Sequence, residues 1–222
     1  MRRTITPELL DSDSGNPQEI RASLADLRFA NRWFGGVSTT CDLLLRVARA
    51  SGISQLRVLD VGAARGDIAA PTISRLARQG IAVSFVLLDR SLSHMNGSRN
   101  SVVGDALALP FADRSFDVVT SSLFLHHLEP TEIRQFIAEG LRVARVAVTI
   151  NDLRRHPLHL ALIYAAFPIF SRLTRHDAPA SVRRAYTLSE LAHILSETPA
   201  QQVEITKHYL FRMGAIAWKR LR

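Results

Sequence analysis

A nearly apolar run, Val58-Leu59-Asp60-Val61, leads straight into Gly62-Ala63-Ala64-Arg65-Gly66-Asp67, and a helical pattern follows. A strand this apolar must be covered on both faces. Glycines at its end let the backbone come close to a ligand at the N-terminus of the next helix. They occupy the first and fifth positions of the turn, which is not the G-x-G-x-x-G spacing of a dinucleotide-binding turn. On these residues alone, a strand-to-helix turn with no ligand stays an open reading.

The same texture continues along the chain. Short apolar runs at residues 56–61, 82–88, 101–105, 116–122 and 144–152 alternate with helical patterns, notably residues 67–79 and 131–141. Strands of four to eight residues separated by helices make a mostly parallel sheet with helices on both faces, an open α/β fold. Ahead of it, apolar spacing through Ile20, Leu24 and Leu27, then Val37, Leu44, Leu45, Val47 and Ala48, predicts two helices separated at Gly35-Gly36. Behind it come an apolar run at 158–170, an Arg-rich stretch to residue 184 and a helix at 188–196. Thr187 and Glu190 supply that helix with a capping box, and strand candidates follow at 203–211 and 215–219. The expected organisation is one domain: an N-terminal helical cap (1–53), a ligand-binding core (54–152), a lid insertion (153–186), and a C-terminal helix and strand pair (187–222).

Composition narrows the partners. With 222 residues, 47% of them hydrophobic, the chain has ample material for a core, which excludes a disordered chain. The single cysteine, Cys41, excludes a disulfide scaffold. The net charge of +8 comes almost wholly from arginines scattered along the chain, so nucleic acid is not the expected partner. The apolar run at 158–170 is shorter than the roughly 17–25 residues of a membrane-spanning helix. No apolar stretch of a secretion signal follows the basic N-terminus, so a cytoplasmic location is expected. The sequence carries no signal of oligomeric state.

Four pieces in order then resemble the class I S-adenosylmethionine-dependent methyltransferases. They are the D-V-G-A-A-R-G turn at 60–66, Asp89 at the end of the second strand, Gly104-Asp105-Ala106 followed by Leu109-Pro110-Phe111, and Ser115-Phe116-Asp117-Val118-Val119 running on to Leu125-His126-His127-Leu128. The last two are similar to the small-molecule branch related to ubiquinone and menaquinone methyltransferases. Ala64 stands where that family usually carries a glycine, and a P-G-G turn before the fifth strand is missing. The resemblance implies a Rossmann-like sheet of seven strands with S-adenosyl-L-methionine as cofactor. It assigns Asp60, Gly62, Ala63, Gly66, Asp89, Arg90, Asp105, Ala106 and Ser121 to that cofactor, Asp89 holding the ribose hydroxyls and Asp105 reading the adenine edge.

For the chemistry, His126 and His127 follow the fourth strand and Asp152 ends the fifth, so the three are expected to converge as the catalytic group. An imidazole oriented by a carboxylate suits proton removal from a hydroxyl; the plainer reading is that one histidine caps the helix near Pro130 and the other packs. The run at 158–170 is too apolar to face water uncovered and is expected to wall an acceptor pocket, with His159, Tyr164 and Phe167 touching the acceptor. Contact with a membrane surface is the competing reading, because Arg154, Arg155, Arg172 and Arg175 flank the run. Trp33, beside Gly35-Gly36, is expected as an aromatic flap or else as core. No metal site is expected, since His156 and His159 have no acidic ligand near them in sequence. The resulting expectation is O-methylation of a small apolar, hydroxylated aromatic, quinone-like or polyketide-like acceptor. The rivals are an RNA methyltransferase and a non-catalytic cofactor-binding protein.

Overall fold

A computed structural model describes residues 1–12, 14–95 and 100–220. Two helices, α1 (Pro17–Trp33) and α2 (Gly36–Ser51), precede β1 (Gln55–Val61), α3 (Ala69–Ala77), β2 (Ala82–Asp89), β3 (Ser101–Val103), β4 (Phe116–Ser122), α4 (Pro130–Val143) and β5 (Ala144–Leu153). The chain continues through α5 (Pro157–Ala165), α6 (Arg172–Arg184), α7 (Leu188–Ser196), β6 (Gln202–His208) and β7 (Arg212–Trp218).

The strands form one seven-stranded sheet in the order β3-β2-β1-β4-β5-β7-β6. Pairing from β3 across to β5 is parallel, and β7 runs antiparallel to both β5 and β6. Because side chains alternate along a strand, neighbouring residues serve opposite layers. Leu59, Val119 and Val148 pack with Ile133, Phe136 and Ile137 of α4 and Leu191 and Leu195 of α7. Val58, Val118 and Ala147 pack with Leu43, Leu44 and Val47 of α2 and Leu76 of α3.

Local signals set the helix ends. Asn16 accepts from the backbone of Gln18 and Glu19, and Glu19 accepts from the backbone of Asn16, opening α1 with a capping box. Thr187 and Glu190 do the same for α7, as the sequence predicts. The fourth helix is capped by Glu129, so neither His126 nor His127 is used for that purpose.

The Arg-rich stretch that carried no apolar period is helix α6, with Pro179 inside it. Apart from Leu173 and Val182 its buried face is small or polar, including Thr174, Asp177, Ala180 and Ser181, which hides it from a pattern search built on large apolar residues. The apolar run breaks where α5 ends at Ala165, and a short 3₁₀ turn, Phe167–Ile169, carries Pro168. The N-terminal residues cross this insertion as a strap. The backbone N–H groups of Leu9 and Leu10 donate to Asp177, and that of Thr4 donates to the carbonyl of Arg183. Among the described residues no helix is long and apolar enough to cross a membrane.

Candidate active site

The carboxyl ends of β1, β2 and β4, the strap and the α5–α6 insertion enclose a cleft of about 740 Å³. Ligands of open α/β sheets bind at this edge. Three non-glycine residues with positive φ line it: Ala64 (43°), Leu123 (55°) and Leu210 (48°). Such backbone strain persists only where the surroundings over-determine it, and it gathers at functional sites.

The turn after β1 is pinned from below. The N–H groups of Gly62 and Ala63 donate to the Leu88 carbonyl at 2.9 and 3.1 Å, and that of Ala64 donates to Asp89 Oδ2 at 2.9 Å. Asp89 Oδ1 also accepts from the Ser91 backbone at 3.0 Å, so this carboxylate builds the turn as well as facing the cleft. Gly62 has φ +70°, and a Cβ there would meet the Phe124 ring at 2.8 Å. Ala64 accepts a left-handed conformation where the family usually places glycine, which explains that preference.

Asp60, Gly62, Ala63, Asp89, Arg90, Asp105 and Ala106 all line the cleft. Burial, with the Asp89 charge added, pushes the Asp60 carboxyl up to about 7. Two of the residues assigned to the cofactor lie off the cleft lining. Gly66 lies off the cleft lining: its missing side chain makes room for Leu87, whose Cδ1 a Cβ would meet at 2.6 Å. Ser121 is fully buried in the sheet, and its neighbour Ser122 takes the place on the cleft wall, as strand alternation requires.

The expected catalytic group does assemble. His126 and His127 close a 3₁₀ turn after β4, and Asp152 comes up beside them on the adjacent strand β5. His126 Nδ1 is 2.7 Å from Asp152 Oδ1, with both residues almost fully buried. Burial alone would lower the His126 pKa, but the Asp152 and Glu8 carboxylates override it and hold the imidazole well above its usual value. Asp152, in turn, is held below the ordinary carboxylate range by His126 despite its burial. His126 Nε2 is buried on the cleft side without a hydrogen-bond partner, 3.6 Å from Glu8 Oε1. His127 Nδ1 lies 2.9 Å from Asp11 Oδ2.

Glu8 and Asp11 were not found by sequence reasoning. Both lie in an N-terminal segment with no periodicity or motif, and only the strap's path brings them to the histidines. Arg212 was also missed: it is buried, lines the cleft, and donates to the Phe34 carbonyl and to the side chains of Asn31 and Asn151. Asn151, beside Asp152, ties β5 to the carbonyl of Gly36 and to Thr40.

The acceptor-side expectations divide. His159 lines the cleft, donating from Nδ1 to the Arg154 carbonyl at 3.3 Å and stacking on Phe211; burial pushes its pKa down to about 4. Neither Tyr164 nor Phe167 lines the cleft. Tyr164 is 45% exposed and accepts from Arg183. A helical step of about 100° separates it from Ile163, which shares the His159 face and does line the cleft with Phe170. Trp33 is 59% exposed at the end of α1, while Phe34 faces the cleft. Of the arginines flanking the apolar run, Arg155 is buried and paired with Glu190.

The chain matches a family model described as a methyltransferase domain over residues 59–148. It is 33% identical over 190 residues to the demethylmenaquinone methyltransferase of Roseiflexus castenholzii, covering 77% of each chain. The chain belongs to the class I S-adenosylmethionine-dependent methyltransferases. A 101-residue stretch of this methyltransferase is 38% identical to the ubiquinone/menaquinone biosynthesis C-methyltransferase of Dinoroseobacter shibae, covering 40% of this chain and 38% of that one. The plantazolicin methyltransferase, solved with a monoazolic desmethylPZN analogue and S-adenosylhomocysteine, shares the fold. Its TM-score is 0.67 at 13% identity, with 96% of this chain and 94% of that chain covered. The cofactor of the methyltransferase is therefore S-adenosylmethionine.

Proposed function

We propose that this methyltransferase acts on a small, apolar, hydroxylated aromatic acceptor of the hydroquinone kind, bound between the cofactor turn and α5 with its oxygen at His126. The observation that carries this reading is the buried, unpartnered Nε2 of His126, held in place by Asp152, on a cleft wall that also carries Leu24, Leu27, Ile163 and Phe170. An unpaired buried nitrogen costs free energy until a ligand satisfies it, and the apolar neighbours suit a ring.

Methyl transfer needs nucleophile, methyl carbon and sulfur in line, so positioning supplies much of the rate. An acceptor oxygen engaged by His126 directs the ring carbon next to it toward the methyl group. That carbon forms the new bond, the methyl–sulfur electron pair returns to sulfur, and the proton on the carbon passes to water. The names of the demethylmenaquinone and C-methyltransferase relatives favour this outcome over transfer to oxygen. Transfer to oxygen, expected from the sequence, is the second reading, and it needs only that the same hydroxyl face the methyl.

The test is incubation of the purified protein with cofactor carrying a carbon-13 methyl group and a panel of hydroquinones and phenols. Mass spectrometry is expected to show the gain of one methyl group, and the carbon-13 shift distinguishes an aryl methyl from a methoxy group. Turnover of RNA with none of the aromatic panel overturns the reading.

A further inference from the structure

Where the strap crosses the turn after β4, two imidazoles and a carboxylate come together in a way that methyl transfer by positioning alone does not require. We propose that Glu8, His126 and His127 form a binding site for a divalent transition metal ion. One ligating atom from each of the three lies within 4.8 Å of the other two.

Four observations support the site. His126 Nε2 is buried and unpartnered, and its 3.6 Å separation from Glu8 Oε1 is too long for a hydrogen bond. That spacing is close to the roughly 3.3 Å edge of a tetrahedron with ligand bonds near 2.0–2.1 Å. Each histidine also has a carboxylate at Nδ1: Asp152 at 2.7 Å from His126 and Asp11 at 2.9 Å from His127. A carboxylate on one ring nitrogen fixes the tautomer and orients the other nitrogen, the arrangement that supports histidine ligands to metals.

Charge points the same way. Three carboxylates, Glu8, Asp11 and Asp152, surround the two imidazoles. Arg184 stands near Asp11, and Arg212 near Asp152. Glu8, itself buried, receives a 2.8 Å hydrogen bond from the Ser181 hydroxyl and faces both imidazoles. Finally, two histidines and one glutamate form a ligand set that zinc uses with a fourth position left open. All three residues line the cleft.

Given the methyl acceptor proposed above, on which this role depends, the ion stands between His126 Nε2 and the acceptor oxygen, so that the oxygen at its open position meets the histidine through the ion instead of by a direct hydrogen bond. It acts there as a Lewis acid, the hydroxyl proton leaving to water and the oxygen remaining as a phenolate. Glu8, on the strap, thereby makes the N-terminal segment part of the acceptor's activation.

The experiment uses the full chain, stripped with a chelator and dialysed against Zn²⁺, with bound metal counted by mass spectrometry and affinity measured by competition with a coloured chelator. Co²⁺ serves as a second probe through its visible absorption. One ion per chain is expected, with affinity lowered at least about tenfold by Glu8→Gln, His127→Ala and Asp152→Asn. His193→Ala, an exposed histidine on α7, is expected to leave affinity unchanged. Circular dichroism checks that each variant is folded, and Glu8→Gln, nearly isosteric, keeps the test available if a histidine variant is not. Zinc bound no more tightly by the native chain than by folded Glu8→Gln and His127→Ala overturns the site. Titration of S-adenosylhomocysteine into the same samples reports on the cofactor site alone, so its binding together with absent metal binding removes the metal and leaves the methyltransferase reading intact.

Discussion

Asp152 grips His126 at two points: Oδ1 lies 2.7 Å from the ring Nδ1, and Oδ2 accepts the His126 backbone N–H at 3.0 Å. One carboxylate thus fixes both the place of the residue and the rotation of its ring. An asparagine cannot repeat this, because its amide group turns a donor toward one of two donors. Asp152→Asn is expected to lower turnover about 100-fold through lost orientation. Affinity for S-adenosylhomocysteine should be nearly unchanged, since Asp152 lies behind the histidine and not on the cleft lining. Steady-state kinetics and calorimetry on the same preparation separate the two effects.

Asp60 gives the site a pH dependence. Burial and the Asp89 charge push its carboxyl up to about 7, so in the free protein it is protonated below that value. The cofactor brings a cationic amino group and sulfonium, which favour the carboxylate. Affinity is therefore expected to rise from about pH 6 to about pH 8, with release of a proton on binding below the midpoint. For folding the sign is opposite: an acid whose folded pKa is raised loses stability as pH climbs from the unfolded value toward about 7. Asp60→Asn should be more stable than the native protein at about pH 8, and its cofactor affinity should be weaker and flat with pH. Calorimetry and thermal melts across that range decide.

Asp89, expected from the sequence to hold the ribose, also builds the turn. It accepts the backbone N–H groups of Ala64 and Ser91, so removing it frees both donors. Asp89→Ala is expected to weaken S-adenosylhomocysteine binding by at least about 1.5 kcal/mol. An unchanged affinity by calorimetry would show that the cofactor lies elsewhere in the cleft.

The sheet was legible because its signals are local and repeated: apolar runs of strand length, helical spacing between them, and the glycines at the end of β1. Most residues assigned to the cofactor do meet at one cleft, but the sequence did not show which way each faces. Ser121 and Ser122 are chemically identical neighbours, and one step along a strand reverses the side it serves. Gly66 carries the family pattern, yet its lack of a side chain serves Leu87 beneath the turn. Tyr164 drew attention as an aromatic residue in an apolar run, but helical phase decides which residue faces the cleft, and the run was too uniformly apolar to show its phase. Glu8 and Asp11 reach the histidines only through tertiary contacts that pattern reading does not see.

That helical phase sets two neighbouring residues of α5 against different surroundings. Ile163 and Phe170 line the cleft, while Tyr164, one residue along α5 from Ile163, sits 45% exposed against Arg183. If the acceptor lies against this wall, Ile163→Ala removes about three buried carbon groups from it, at about 0.8 kcal/mol each. Acceptor KM should then rise by roughly tenfold or more, with S-adenosylhomocysteine affinity untouched. Tyr164→Ala removes a larger side chain from the same helix, yet it should leave acceptor KM essentially where it was, because the ring meets solvent and the Arg183 guanidinium. The paired variants discriminate because a general loosening of α5 would affect both, and contact with the acceptor affects only Ile163. A rise in KM for Tyr164→Ala with none for Ile163→Ala would place the acceptor on the outer face of α5 and remove the helix from the wall of the active site.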